Sequence, residues 1–341
     1  MEILKKIIKK ELLEKFYQNL KRESSVYAPV IEKSKVEYKF NPEYNEVTYD
    51  YIQTVQSPKN VVFPKTENLF HFKKNNREAE VEDVDISKIS DVIVWGVHPC
   101  DIRLFEILKS IFVLDYKDVF FQTRMEKLIL IGLSCHKSDS YCFCTSVGIG
   151  PGETKGSDIL LTKISDDYFL AEIVSEKGKK IFEKNSQFFE DAKDVSKEKN
   201  IADVPVYFNS DDVIKVLPEM FNNNFWVRNS LRCIGCGACT FVCPTCGCFD
   251  IQDETKRKCG SRVRCWDSCG FSMFTIHASG HNPRALQSQR WRQRIMHKYS
   301  YQPQNSNLIG CVGCGRCSRA CSADMNILEQ LIEISKMKDK I

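Results

Sequence analysis

The first 99 residues contain no cysteine, and the opening MEILKKIIKKELLEKF alternates charge with Ile and Leu where a secretory leader would have an uncharged apolar stretch. No apolar run approaches the ~18 residues that span a bilayer, so no membrane span is expected. Neither sign of charge dominates. The 49 basic and 45 acidic residues leave a formal +4, too balanced to announce a nucleic-acid binder. Sixteen glycines and eleven prolines in 341 residues exclude a collagen-like chain, and 43% apolar with 28% charged residues exclude disorder. No carboxylate pair or Ser/His/Asp arrangement for acid–base or nucleophilic catalysis is identifiable. These absences leave a soluble globular chain, expected in the cytoplasm and long enough for two domains.

What the chain does have is cysteine. Of its seventeen, four lie between Cys100 and Cys144 and thirteen between Cys233 and Cys321. Cytoplasmic thiol pools keep ordinary cysteines reduced, so this density points to metal or cluster ligation before disulfides.

Residues 3–21 carry Ile3, Leu4, Ile7, Ile8, Leu12, Leu13 and Phe16 at helical spacing, which predicts one amphipathic helix. NVVFP at 60–64, DVIVWGV at 91–97 and LILIGLS at 128–134 read as strands, with DIRLFEILKSIFVL a helix between the last two. A strand, a helix and another apolar strand form a βαβ unit around a partly parallel sheet. Residues 157–175 alternate as a hairpin, and 176–222 are charged and helical or loop-like. The expected organisation is an α/β domain over 1–221 and a mainly α-helical ferredoxin-type dicluster domain over 222–341.

The strongest signal is RCIGCGACTFVCP, with Cys233, Cys236, Cys239 and Cys243, matched by GCVGCGRCSRACS, with Cys311, Cys314, Cys317 and Cys321. Spacing of two, two and three residues lets one tight loop give three thiolates to a cubane, while the fourth reaches the other cluster. Two 4Fe-4S clusters are therefore expected, one on Cys233, Cys236, Cys239 and Cys321, the other on Cys311, Cys314, Cys317 and Cys243. The glycines at 235, 237, 313 and 315 let the backbone fold around the sulfurs. Zinc also uses CxxC pairs, but needs four ligands per ion and gives no role to the third cysteine or the crossover position. Sixty-seven residues separate Cys243 from Cys311, more than a compact bacterial ferredoxin uses.

That insertion carries Cys246 and Cys248 in PTCGC, then Cys259, Cys265 and Cys269 in KCGSRVRCWDSCG. Two readings stay open. Cys246, Cys248 and Cys269 are buried thiols lining the clusters, with Cys259 and Cys265 incidental; or Cys246, Cys248, Cys269 and one neighbour hold a further, fourth cluster or a metal ion. Beyond them, HASGHNPRALQSQRWRQRIMHKYSY gathers His277, His281, Arg284, Arg290, Arg292, Arg294, His297 and Lys298 with Trp291 and Tyr299. Lying inside the cluster module, it fits shielding of anionic clusters or a partner contact better than nucleic acid.

In the N-terminal half, Cys100 follows the first predicted parallel strand and Cys135 the second, with Cys142 and Cys144 shortly after. Adjacent parallel strands bring their exits together, where α/β sheets bind ligands. Four thiolates can converge there on a third 4Fe-4S cluster, although CxC and strand-end cysteines can also be structural. SVGIGPG lacks the strand-to-helix context of a dinucleotide fingerprint.

These pieces together resemble the β subunit of cytoplasmic sulfhydrogenase-type nickel–iron hydrogenases, a family related to one of the subunits of anaerobic sulfite reductase. The resemblance runs nearly the full length, through FPKTENLF at 63–70, GVHPCDIR at 96–103, CFCTSVGIGPG at 142–152, CIGCGACTFVCPTCGCFD at 233–250, RCWDSCGF at 264–271, ASGHNPR at 278–284, QRIMHKYSY at 293–301 and CVGCGRC at 311–317. The N-terminal half is also similar, more faintly, to β subunits of enzymes that reduce a deazaflavin coenzyme, in which a GxPC segment and a strand-end cysteine help bind a cluster beside a flavin. That similarity supports Cys100 and Cys135 as ligands and keeps FAD as a weaker alternative. The family implies an electron-transfer subunit, linking a flavin- and NAD(P)-binding reductase subunit to a catalytic subunit that acts on hydrogen, sulfur or sulfite. The rival reading is a subunit that itself reduces a sulfur or disulfide substrate at an N-terminal cluster. The chain departs from the pattern at RACSADMN, where no proline follows Cys321.

Overall fold

The computed structural model describes residues 3–75, 78–192 and 195–338. The strands are β1 (Leu4–Lys9), β2 (Ser25–Glu32), β3 (Lys35–Phe40), β4 (Thr66–Asn75), β5 (Glu78–Asp83) and β6 (Val92–Val97). They continue with β7 (Leu128–Leu133), β8 (Ile159–Lys163), β9 (Tyr168–Ile173), β10 (Phe189–Asp191), β11 (Phe249–Lys256) and β12 (Cys259–Trp266). An eight-stranded sheet has the order β10-β1-β9-β8-β7-β6-β2-β3, and a four-stranded sheet the order β11-β12-β4-β5. β2, β6, β7 and β8 run parallel; the outer strands of the large sheet pair antiparallel.

β6 and β7 are apolar at nearly every position because both faces are covered. Helix α1 (Lys10–Glu23) seals one face with Leu13, Phe16, Tyr17 and Leu20 against Trp95, Ile131 and Leu161. Helix α2 (Pro99–Phe112) joins β6 to β7 and covers the other face, followed by α3 (Val119–Glu126), which Asp118 caps by accepting from the Phe121 amide at 2.9 Å. The βαβ unit and the hairpin at 157–175 thus form as the sequence implies.

Three segments differ from expectation. Residues 4–9 are a strand, and only 10–23 are helical: β9 and β10 supply ladders on both sides of β1, and that pairing outweighs helical spacing. NVVFP is a short 3-10 turn and loop although Val61, Val62 and Phe63 are buried. Pro58 stands just before it and Pro64 ends it, and proline cannot donate to a ladder. Finally, the expected mainly helical C-terminal region contains the long hairpin β11–β12, whose second strand pairs with β4 of the N-terminal half. Arg264 on β12, buried, is clamped by Glu67 and Asp118, and the Trp266 indole donates to the Phe63 carbonyl at 3.1 Å.

One apolar core spans both halves. It packs Cys100, Phe143 and Val147 with Val213, Leu217, Trp226, Trp291, Tyr299 and Leu331. Among the described residues no helix is long and apolar enough to cross a membrane.

Candidate metal centres

Cys100 sits in the first turn of α2, just beyond β6, and Cys135 just beyond the adjacent parallel β7. The topology therefore delivers both to one sheet edge. Cys142 and Cys144 arrive on the loop that follows, and all but half-buried Cys135 are buried. Burial pushes the thiols of Cys100 and Cys135 well above their ordinary range. Asp101, Cys314 and Cys135 add to the effect at Cys100, and Cys144 and Cys142 add to it at Cys135. Burial, with Cys142 close by, also raises Cys144 to about 12. Such thiols keep their protons until a metal takes them, the condition in which a buried ligand set couples to metal binding. The Gln53 amide donates to Cys100 Sγ at 3.1 Å.

The second ferredoxin motif packs directly on this loop. Gly313 and Gly315 both have left-handed backbones, with φ of 63° and 71°. A Cβ on Gly313 would stand 2.5 Å from Cys144 backbone atoms, and one on Gly315 the same distance from the Tyr141 carbonyl. These glycines do more than wrap their own sulfurs: they admit the CxC loop, whose Phe143 amide donates to the Gly313 carbonyl at 2.8 Å. Next to them Arg316 makes a two-pronged pair with Asp101 at 2.6 Å for each prong, and its Nε donates to the Thr54 carbonyl at 2.8 Å. Both charges are buried, and they fasten the residue after Cys100 to the Cys314 loop.

Cys311 and Cys317 neighbour each other, and Tyr299 feels both of them and Cys243. The Lys298 ammonium donates to Cys243 Sγ at 3.3 Å, and Thr245 ties the turn after Cys243 to the Gly310 carbonyl at 2.7 Å. Cys233, Cys236 and Cys239 of the first motif line a single cavity with Cys321 of the second. Gln287 donates to Cys233 Sγ at 3.0 Å and the Met325 amide to Cys321 Sγ at 3.3 Å. Cys239 neighbours both Cys233 and Cys317, so the two groups adjoin. Cys236 alone of these eight thiols is exposed.

A second cavity, which shares Cys269 and Arg294 with the first, is lined by Cys246, Cys248 and Cys269 with Arg294, His297 and Lys298. Cys259, exposed, and Cys265 lie along β12 and do not line it. Of the basic and aromatic stretch, Arg290, Trp291, Arg294, Lys298 and Tyr299 are buried. The helix Gln287–Met296 runs into a π turn at His297–Tyr301, a feature frequent at functional sites, and this turn carries Lys298 and Tyr299.

Among the described residues no three His, Cys, Asp or Glu side chains close on one point as a single ion requires. A zinc ion holds each sulfur at about 2.3 Å and so crowds its thiolates to within about 4 Å of one another. A cubane puts its irons between the thiolates and spreads them around a cavity, which is the arrangement of Cys233, Cys236, Cys239 and Cys321. The donor set is thiolate-rich and faces cationic and amide donors, which fits an anionic iron–sulfur cluster.

Sequence reasoning missed three contributors. Lys59 is buried, its ammonium 3.9 Å from the centre of the Trp266 ring and donating to the Cys246 carbonyl at 3.0 Å; burial pulls it down to about 8. The Asp101–Arg316 pair and the sulfur donor Gln53 are the others. Asp101 and Arg316 carried a signal, through their places beside Cys100 and inside the second cysteine motif.

The 4Fe-4S dicluster domain profile matches residues 232–325. Over 332 residues, 95% of this chain and 96% of the relative, the sequence is 30% identical to sulfhydrogenase 2 subunit beta of Pyrococcus furiosus.

Proposed function

Because the chain belongs to the family of sulfhydrogenase β subunits, we propose that it is the iron–sulfur electron-transfer subunit of a hydrogenase-type complex, relaying single electrons from or to a flavin- and NAD(P)-binding subunit on one side and a catalytic subunit on the other. The observation that carries this reading is an unbroken run of neighbouring thiols. It begins at exposed Cys236, which lines one cavity with Cys239, passes by electrostatic proximity from Cys239 to Cys317 and Cys314, and reaches buried Cys100 and half-buried Cys135.

In this reading Cys233, Cys236, Cys239 and Cys321 hold one cluster, Cys243, Cys311, Cys314 and Cys317 a second, and Cys100, Cys135, Cys142 and Cys144 a third. Bound 4Fe-4S clusters supply one-electron carriers whose potentials follow hydrogen bonding, charge and burial. The chain's own residues set those terms. Gln53, Gln287 and Lys298 donate to Cys100, Cys233 and Cys243, stabilising added negative charge at the sulfurs. Trp291, Met296 and Tyr299 exclude water around the inner thiols. The exposure of Cys236 favours electron exchange with a partner at that end.

Iron, acid-labile sulfide, zinc and flavin per anaerobically purified chain, with a stepwise reductive titration, test this. The reading expects at least about twelve irons, four per cluster, taking up electrons singly. Stoichiometric zinc with little iron would overturn it.

A further inference from the structure

Cys246, Cys248 and Cys269 are additional to the sets above. Two chain segments bring them together: β11 and β12 pair from Phe249 opposite Trp266, so Cys248 and Cys269 lie just beyond the same end of the hairpin. The Asp267 amide donates to the Cys248 carbonyl at 3.0 Å and fixes that closure. His297, at the start of the π turn and itself exposed, also lines the cavity that the three thiols line.

The surroundings are cationic. The Arg294 guanidinium donates to Cys246 Sγ at 3.3 Å, the Lys298 ammonium to Thr245 Oγ1 at 2.9 Å, and the Lys59 ammonium to the Cys246 carbonyl at 3.0 Å. All three side chains are buried, and among the described residues none forms an ion pair with a carboxylate. Arg294 and Lys298 also reach Cys239 and Cys243, but Lys59 hydrogen-bonds to no residue of the first two sets. Buried cations need counter-charge, and no carboxylate among the described residues supplies it here. Thiolates bound to a metal centre do. The three thiols are spread around the cavity instead of closing on one point, an arrangement that fits a cluster better than a single ion.

We propose that Cys246, Cys248, Cys269 and His297 hold a further iron–sulfur cluster, separate from the dicluster pair and from the N-terminal set. Its hydrogen-bond donor is Arg294, and its charge is balanced by Lys59 and Lys298.

The test compares the full-length chain, purified anaerobically, with a Cys248→Ser/Cys269→Ser variant for iron, sulfide and zinc. The variant should lose about four irons and four sulfides per chain while the electron paramagnetic resonance signals of the dicluster remain. Unchanged iron overturns the proposal, as does loss of one zinc with iron intact. Should the double variant fail to fold, wild-type chain labelled with 15N-histidine answers the same question by pulsed resonance. A coupling to a bonded nitrogen that disappears in His297→Cys at constant iron supports the site; absence of that coupling in the wild type overturns it. Loss of the proposed relay function would leave both readouts unaffected, so the two readings fail separately.

Discussion

Replacing Asp101 with Asn tests how the two halves of the molecule hold their thiols in register. Arg316 donates to both carboxylate oxygens at 2.6 Å and to the Thr54 carbonyl at 2.8 Å, and the pair is 1% and 0% exposed. Asp101→Asn keeps the shape but leaves a buried guanidinium without counter-charge, and breaking one side of such a pair costs about 3–5 kcal/mol. Thr54 still accepts two hydrogen bonds from Arg316, so the lower end of that range is expected. Arg316→Met strands the carboxylate instead and should cost about as much. The double variant removes both charges and should recover about 2–3 kcal/mol relative to the sum of the single effects. Anaerobic urea unfolding of the cluster-loaded chain, followed by tryptophan fluorescence and by visible absorbance, measures this. Because the pair fastens the Cys100 and Cys314 loops, absorbance in the single variants should bleach at lower urea than in wild type. Single variants each within about 1 kcal/mol of wild type, with an additive double, would refute the reasoning.

Gly313→Ala forces a left-handed backbone onto an L residue, at about 1–2 kcal/mol, and pushes a Cβ within 2.5 Å of Cys144 backbone atoms; lower iron content than wild type is expected, and wild-type iron would contradict the packing. Lys298→Met removes a positive charge 3.3 Å from Cys243 Sγ and should lower the reduction potential of the cluster on that cysteine, read by redox-poised resonance spectra. His98 is buried, its ring between the Leu133 and Tyr51 carbonyls, and burial depresses its pKa below the ordinary 6.5. Stability is therefore fully present above about pH 6.5 and lost as pH falls toward the depressed folded value, by at most about 1.4 kcal/mol per pH unit. His98→Gln should flatten that slope in unfolding free energies measured from pH 7.5 to 5; an unchanged slope would rule His98 out as its source.

How much of this was legible in the sequence depended on whether the signal was local. The β6–α2–β7 unit and the two ferredoxin motifs were legible, because apolar runs and cysteine spacing are local patterns. β1 was misread because its identity depends on strands more than 150 residues away in sequence. The β11–β12 hairpin did leave a signal: two eight-residue runs flank Arg257-Lys258, and Arg257 has φ of 58°, the left-handed conformation of tight hairpin turns. The cysteine motifs dominated that stretch and hid it. The charges around the thiols were legible only in part. Lys298 stood inside a conspicuous basic segment, whereas Lys59 is 187 residues from the Cys246 carbonyl it meets, and no spacing rule joins them.

The central claim is that electrons cross this chain through thiol-held clusters, entering or leaving near Cys236. The most direct test is electron flow between the flavin-bearing and catalytic partners in a complex containing Cys236→Ala. The account predicts that flow stops while the N-terminal sheet stays folded and the third thiol set keeps its iron; full retention of flow would contradict it.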